Sequence, residues 1–261
     1  MDTLIVNEQP DTATRRPEGS EAVITIDHLY KSFGDNQVLQ DFNLSLYRGE
    51  NLVVLGKSGS GKSVLIKCII GLLEPDAGSI YVLGENIPDL EHDALDQIRT
   101  RVGFLFQSNA LYDSMTVREN LEFPLRRHWI DKTRAEVDEM VMEALENVGL
   151  AHTVDMMPAE LSGGMRKRIG LARTLILKPD IILYDEPTTG LDPITAREIN
   201  QLILDVQRKY NTSAIIISHD MKCVEYTANR IAVLIDGRCQ HIGTFESLSR
   251  SDDPRVTAFF L

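Results

Sequence analysis

The chain has 261 residues, and no run in it approaches the roughly 18 consecutive apolar residues of a membrane-spanning helix. Positive charge is short: 27 Lys and Arg against 39 Asp and Glu leave a net charge of −12. That balance argues against a broad nucleic-acid surface, which needs clustered Lys and Arg, though a local basic patch stays open. Cysteine is scarce too. Cys68, Cys223 and Cys239 share no metal-ligand spacing, so they read as buried thiols in a reducing compartment. There is no repeat at a fixed period and no low-complexity segment. The first 21 residues lack the apolar core of a signal peptide and carry Pro10, Pro17 and Gly19. They read as a disordered lead-in, and the chain as cytoplasmic, free to sit on a membrane partner.

What is present suits a sizeable core: 43% hydrophobic and 25% charged residues are ordinary globular values. Val23 to Ile26 and Val38 to Tyr47 alternate as strands, with Gly49-Glu50 as a turn. Asn51-Leu-Val-Val-Leu55 suits a buried parallel strand, and Val64 to Ile70 a helix closed by Gly71. Pro75-Asp-Ala-Gly78 turns into a strand at Ile80 to Leu83, and Val102 to Phe106 is another strand. From Ser114 to about Pro158 the pattern is helical, with Val137, Met140, Val141, Ala144, Leu145 and Val148 on one face. The strand-helix rhythm then resumes: Ile181 to Tyr184, a helix from Pro193 to about Tyr210, Ala214 to Ile217, a helix, Ile231 to Ile235. Such alternation implies an α/β fold with a mostly parallel sheet.

Chemistry concentrates in few places. Gly56-Lys57-Ser58-Gly59-Ser60-Gly61-Lys62-Ser63 fits the P-loop pattern, follows a strand and opens a helix. Its N–H groups can wrap a phosphate chain, Lys62 can charge-pair with the β- and γ-phosphates, and the Ser63 hydroxyl can join a Mg²⁺ shell. Asp185 and Glu186 end an apolar strand, where ligands sit in open α/β sheets. Asp185 would hold Mg²⁺ directly or through water, and Glu186 would polarise the attacking water. His219 ends another strand, placed to donate to a γ-phosphate; Gln107 follows a strand and could reach both the metal and the water. Far along the chain, Ser162-Gly163-Gly164 precedes a helix, an arrangement that makes an anion site without revealing which anion.

Taken in order, Gly56 to Ser63, Gln107, Leu161 to Gly164, Tyr184 to Glu186, Gly190-Leu-Asp192 and His219 resemble an ABC-type ATPase over about Ile24 to Ile242. The resemblance implies a P-loop NTPase of the ABC-ATPase fold at 22–261. It should have an antiparallel β subdomain and a helical subdomain inserted at about 108–160. It also implies ATP and Mg²⁺ as ligands and a second copy paired head to tail. The signature loop, Ser162 to Gly164, would then close on ATP held by the other copy's P-loop. Asp192 resembles the aspartate that couples the two sites, and Phe33 the aromatic that stacks on adenine, with Tyr30 as the other candidate.

Met165 departs from the glutamine usual in the superfamily at this position. Together with Phe106 to Val117, Asp192-Pro-Ile-Thr195 and Asp253-Pro-Arg-Val256, it resembles the ATPases of Mce/Mla-type lipid transporters. That branch implies integral-membrane permease subunits, further lipid-transport subunits and a place on the cytoplasmic face of the inner membrane. Leu111, Tyr112 and Met115 could form an apolar notch for a permease helix or simply pack within the insert. The alternatives are an amino-acid or polyamine importer ATPase, and a soluble ABC ATPase acting on DNA or ribosomes. The acidic balance and the lack of coiled coils or a second nucleotide domain weigh against the last; no nucleic-acid partner is expected.

Overall fold

In the computed structural model, which describes residues 21–128 and 131–261, the chain builds two sheets. β1 (Ala22–Phe33) and β2 (Asn36–Tyr47) pair antiparallel. β3 (Asn51–Leu55) leaves them for the second sheet, and α1 (Lys62–Ile69) follows it. β4 (Ala77–Val82) and the two-residue β5 (Glu85–Asn86) return to the first sheet, whose order is β2-β1-β4-β5. After α2 (His92–Arg101) come β6 (Val102–Leu105), the helices α3 (Val117–Arg127), α4 (Arg134–Asn147) and α5 (Gly163–Leu175), and β7 (Ile181–Asp185). Then α6 (Pro193–Tyr210), β8 (Ser213–Ser218), α7 (Met221–Thr227), β9 (Arg230–Ile235) and β10 (Arg238–Gly243) alternate, before α8 (Phe245–Ser249) and α9 (Pro254–Thr257). The second sheet runs β10-β9-β3-β8-β7-β6, parallel except for β10.

Every residue of β3, β7 and β8 is buried, because both faces of that sheet are covered. Leu52 and Val54 point to one core, shared with the antiparallel sheet, α1 and α2. Val53 and Leu55 point to the other, shared with Leu171 and Leu175 of α5 and with Ile199, Ile203 and Val206 of α6. Those α6 positions fall at i, i+4 and i+7, one face of a helix. A third cluster joins α3 and α4, and it also takes Leu161, Ile169, Ala172 and Ile176 from the α5 segment. Packing therefore carries the helical unit beyond residue 160.

The expected strands and the helices at 62–69, 134–147 and 193–210 are present. Gly71 has φ 66°, as a left-handed helix stop requires. β1 runs past Ile26 to Phe33 through register shifts, with His28 at φ 49°. Neither α2 nor β10 was legible: α2 buries only Ile98, and β10 is a half-buried edge. The lead-in lies outside the described residues except for Glu21, which pairs with Arg48 at 2.7 Å. Cys68 and Cys223 are buried, Cys239 is half-buried, and none forms a disulfide.

One buried ion pair ties the two sheets. Arg230 on β9 donates to Glu50 Oε2 at 3.0 Å and to Ser45 O on β2 at 2.7 Å, and it stacks over Tyr47 at 4.9 Å. Glu50 is 7% exposed. Removing one partner strands a buried charge, so Arg230→Met should cost about 3–5 kcal/mol. Urea unfolding should show that loss as a lower midpoint, and adding Glu50→Gln should return most of it. An unchanged midpoint in Arg230→Met would mean the pair contributes nothing.

Candidate functional site

Parallel pairing puts β3, β8 and β7 in register, with Leu55 opposite Ser218 and Asp185 opposite Ile217. Their C-terminal ends therefore open at one rim. Immediately after Leu55, the loop of residues 56–61 bends back on itself. Gly61 has φ 102°, and a Cβ there would lie 2.7 Å from Val38 Cγ1, so only glycine fits. Lys62 opens α1 but points its ammonium back into the loop, where Nζ donates to Gly56 O at 2.8 Å and Lys57 O at 2.9 Å. Burial lowers the Lys62 pKa, while the charges of Glu186 and Asp185 oppose that shift.

A cleft of about 480 Å³ lies at this rim, lined by Phe33, Ser58, Gly59, Gly61, Lys62, Ser63, Gln107, Glu186 and His219 among others. Residues as far apart in sequence as Phe33 and His219 are thus gathered by strand ends rather than by local chain. Phe33 offers a half-exposed ring there, and Tyr30 does not line the cleft. Lys57 and Ser60 line a neighbouring hollow of about 560 Å³ with Asp236, Gly237 and Arg255. Behind the cleft, Ser63 Oγ donates to Asp185 Oδ1 at 3.2 Å. Burial raises the Asp185 pKa, and the Ser63 hydrogen bond counters it. Among the described residues no three His, Cys, Asp or Glu side chains cluster as a metal cage. The hydroxyl of Ser63, the carboxylate of Asp185 and the amide of Gln107 are nevertheless hard oxygen donors. They suit Mg²⁺, which takes few protein ligands beside substrate phosphates.

Glu186 sits just past β7 with φ 51°, a left-handed conformation that a glutamate adopts only under constraint. Its N–H donates to Ile217 O at 3.0 Å, which pins the turn to β8. The carboxylate, largely buried, meets His219 Nδ1 at 2.8 Å and accepts from Thr189 Oγ1 at 3.1 Å. A carboxylate fixed in this way can take a proton from a water in the cleft, and the exposed imidazole beside it can donate onward. The direct Glu186–His219 pair could not be read from the sequence.

Ser162, Gly163 and Gly164 do not line the cleft. Ser162 caps α5, its Oγ accepting from Met165 N at 3.2 Å. Met165 packs its side chain on the helical cluster. A Cβ on Gly164 would come 2.6 Å from Thr195 Cγ2. Thr195 in turn donates to Asp192 Oδ2 at 2.5 Å, and Asp192 Oδ1 accepts from Ile194 N and Thr195 N. The Thr195 hydrogen bond holds the Asp192 pKa low. Asp192 thus has a local duty as the α6 cap, and it braces the start of α5 through Thr195. Two further residues escaped the sequence reading. Lys167 is 2% exposed and Arg173 is half-buried, both on α5, although a lysine and an arginine on a helix ordinarily signal a solvated face.

A strand, a glycine loop that turns into a helix, and a carboxylate at the end of β7, one strand removed across β8, define a P-loop nucleotide-binding class. Residues 39–189 match the ABC transporter family. The chain is 41% identical over 245 residues to the probable ribonucleotide transport ATP-binding protein Mkl of Mycobacterium leprae, covering 94% of this chain and 70% of that protein. It is 42% identical over 232 residues to the methionine import ATP-binding protein MetN 2 of Rhodopseudomonas palustris, covering 88% of this chain and 61% of that one. Among solved structures, the ATP-binding cassette MJ0796 in a dimeric post-hydrolysis state with ADP and Pi superposes with TM-score 0.78 at 30% identity, over 86% of this chain and 99% of that chain. CbiO1 from Clostridium perfringens, part of the ABC transporter complex CbiONQ, gives TM-score 0.79 at 28% identity, over 85% and 88%. The chain belongs to the ABC transporter family, as an ATP-binding subunit with ATPase activity and the P-loop NTPase fold of that family. Among the described residues no helix is long and apolar enough to cross a membrane.

The Glu186 geometry generates a kinetic expectation. Glu186→Gln should bind ATP yet hydrolyse it about 10²- to 10⁴-fold more slowly, or roughly 3–5 kcal/mol of barrier. Single-turnover assays beside a nucleotide-binding titration separate the two effects. Wild-type turnover in this variant would exclude Glu186 as the base.

Proposed function

We propose that the chain is the ATP-driven motor of a Mce/Mla-type lipid transporter, working as a head-to-tail pair of copies on permease subunits at the inner membrane. The observation that carries the motor reading is the gathering of Lys62, the Ser63–Asp185 pair and the Glu186–His219 pair on one rim, with Ser162 to Gly164 away from it. The loop amides and Lys62 hold the phosphates of ATP, and the Phe33 ring stacks on the base. Mg²⁺, held by Ser63, Asp185 and Gln107, would neutralise charge on the phosphate oxygens. Glu186 accepts a proton from the attacking water, and His219 donates to the γ-phosphate. Ser162 and Gly164 complete the site of the other copy, and Asp192 relays between the sites.

A lipid cargo is supported by Met165 in the signature segment and by the stretches 106–117, 192–195 and 253–256. Solute import is the second reading, favoured by 42% identity to a protein named for methionine import. Purification of the full chain from membranes, with bound subunits and lipids identified, separates these. Recovery with a permease and phospholipid-binding subunits supports the lipid reading. Recovery with a solute-binding protein overturns it.

The pairing has its own test. Lys62→Ala and Ser162→Arg should each be inactive alone. Mixed, they should regain part of the activity, because one composite site then carries both defects and the other neither. No recovery, in a preparation where crosslinking shows mixed dimers, would overturn completion in trans.

A further inference from the structure

One face of α5 closes on the backbone that follows β6. Lys167 Nζ donates to Gln107 O at 2.9 Å. Two turns further on, the Arg173 guanidinium forks onto Asn109 O at 2.8 Å and Ala110 O at 2.7 Å. Between them lies Gly170, where a Cβ would meet Leu105 Cδ1 at 3.1 Å and Asn109 Cβ at 3.4 Å, so the glycine permits the close approach. Positions 167, 170 and 173 recur at intervals of three and share one helix face. The gripped loop is itself unusual: Asn109 and Ala110 are consecutive left-handed residues, at φ 65° and 50°. Ala110 has no side-chain polar group to reward that conformation, so it persists because surroundings impose it. The Arg173 fork accepts no other geometry as well, since it needs both carbonyls turned the same way.

Lys167 makes the point sharper. A side chain 2% exposed with an ammonium at its end is costly to bury, and a backbone carbonyl is a modest partner for it. Burial lowers its pKa to about 8, against the opposing charges of Asp185 at the end of β7 and Glu186 just past it. A surface lysine could have stayed in water. A buried one is spent on the position of what it holds.

We infer that Lys167 and Arg173 are positioning residues for Gln107: from the helix that opens with Ser162 to Gly164, they clamp the backbone of residues 107–110. This rests on the role given to Gln107 above. The clamp makes the signature loop and the Gln107 loop one mechanical piece. In a head-to-tail pair the first meets the other copy's nucleotide and the second faces the chain's own. Displacement at one ATP site thus reaches the other through a single helix, by hydrogen bonds from Lys167 and Arg173.

The test uses the full chain with Lys167→Met, Arg173→Lys, Gln107→Ala and the double variant Lys167→Met/Gln107→Ala. Without nucleotide, amide exchange across residues 106–112 should rise about tenfold in Lys167→Met, because local opening there loses a restraint. With Mg-ATP, kcat should fall about tenfold while KM for ATP stays within about twofold. The double variant should be no slower than Gln107→Ala, since both changes act through one group. If Lys167→Met does not fold, Arg173→Lys reads the same clamp, as it keeps the charge but cannot span both carbonyls. Unchanged exchange at 106–112, or losses that multiply in the double variant, would overturn the clamp while leaving the role of Gln107 intact. Wild-type turnover in Gln107→Ala would instead remove that role, and the positioning with it.

Discussion

Leu52 to Leu55 and Ile182 to Tyr184 have packed apolar groups on both faces, so a slip of one residue in their pairing would exchange the two cores. Each fully buried Leu or Ile among them contributes about 1.5–3 kcal/mol, and the strands carry many such residues. Strand register is therefore decided in the core, and the positions of Gly56, Asp185, Glu186 and Ser218 follow from it. The rim then tolerates what would elsewhere be unstable: a buried ammonium at Lys62 and a left-handed Glu186.

The two-sided sheet and the helical cluster have separate apolar cores, and α5 contributes to both, with Leu171 and Leu175 in one and Ile169, Ala172 and Ile176 in the other. α3 and α4 both begin with a capping box, at Thr116–Glu119 and Thr133–Glu136, and the first two N–H groups of α3 donate to Met156 O and Val154 O within the helical unit. Their ends need no help from the sheet. Arg118 adds polar ties within the cluster through Asp138, and Tyr112 packs on Phe123 with ring centres 4.7 Å apart. Leu111 packs there too, while Tyr112 stays 42% exposed, so both readings of that notch keep a share.

Much of this was legible because it rests on short-range signals. Glycine spacing marked the phosphate loop, apolar runs marked β3, β7 and β8, and the resumed strand-helix rhythm marked α6 from Pro193. What escaped depends on neighbours distant in sequence. α2 is a charged helix held by Arg99 on the carbonyls of Ile70 and Gly71, so its apolar periodicity is faint. The capping duty of Asp192 follows from its sequence position, but its link to Gly164 through Thr195 needs two elements 28 residues apart. Lys167 looks like a solvated helix residue until the loop after β6 is laid over it. A buried cation leaves no periodic trace.

The three cysteines have a practical consequence. Burial pushes the thiols of Cys68, Cys223 and Cys239 up to about 11, 12 and 12. At neutral pH the thiolate fraction of each is then on the order of 10⁻⁴ or less, and the thiolate is the reactive form. Maleimide chemistry should pass over all three. A single cysteine placed on the exposed face of α3 or α6 would carry a spectroscopic label while Cys68, Cys223 and Cys239 all stay in place, so distance changes become measurable without a cysteine-free background.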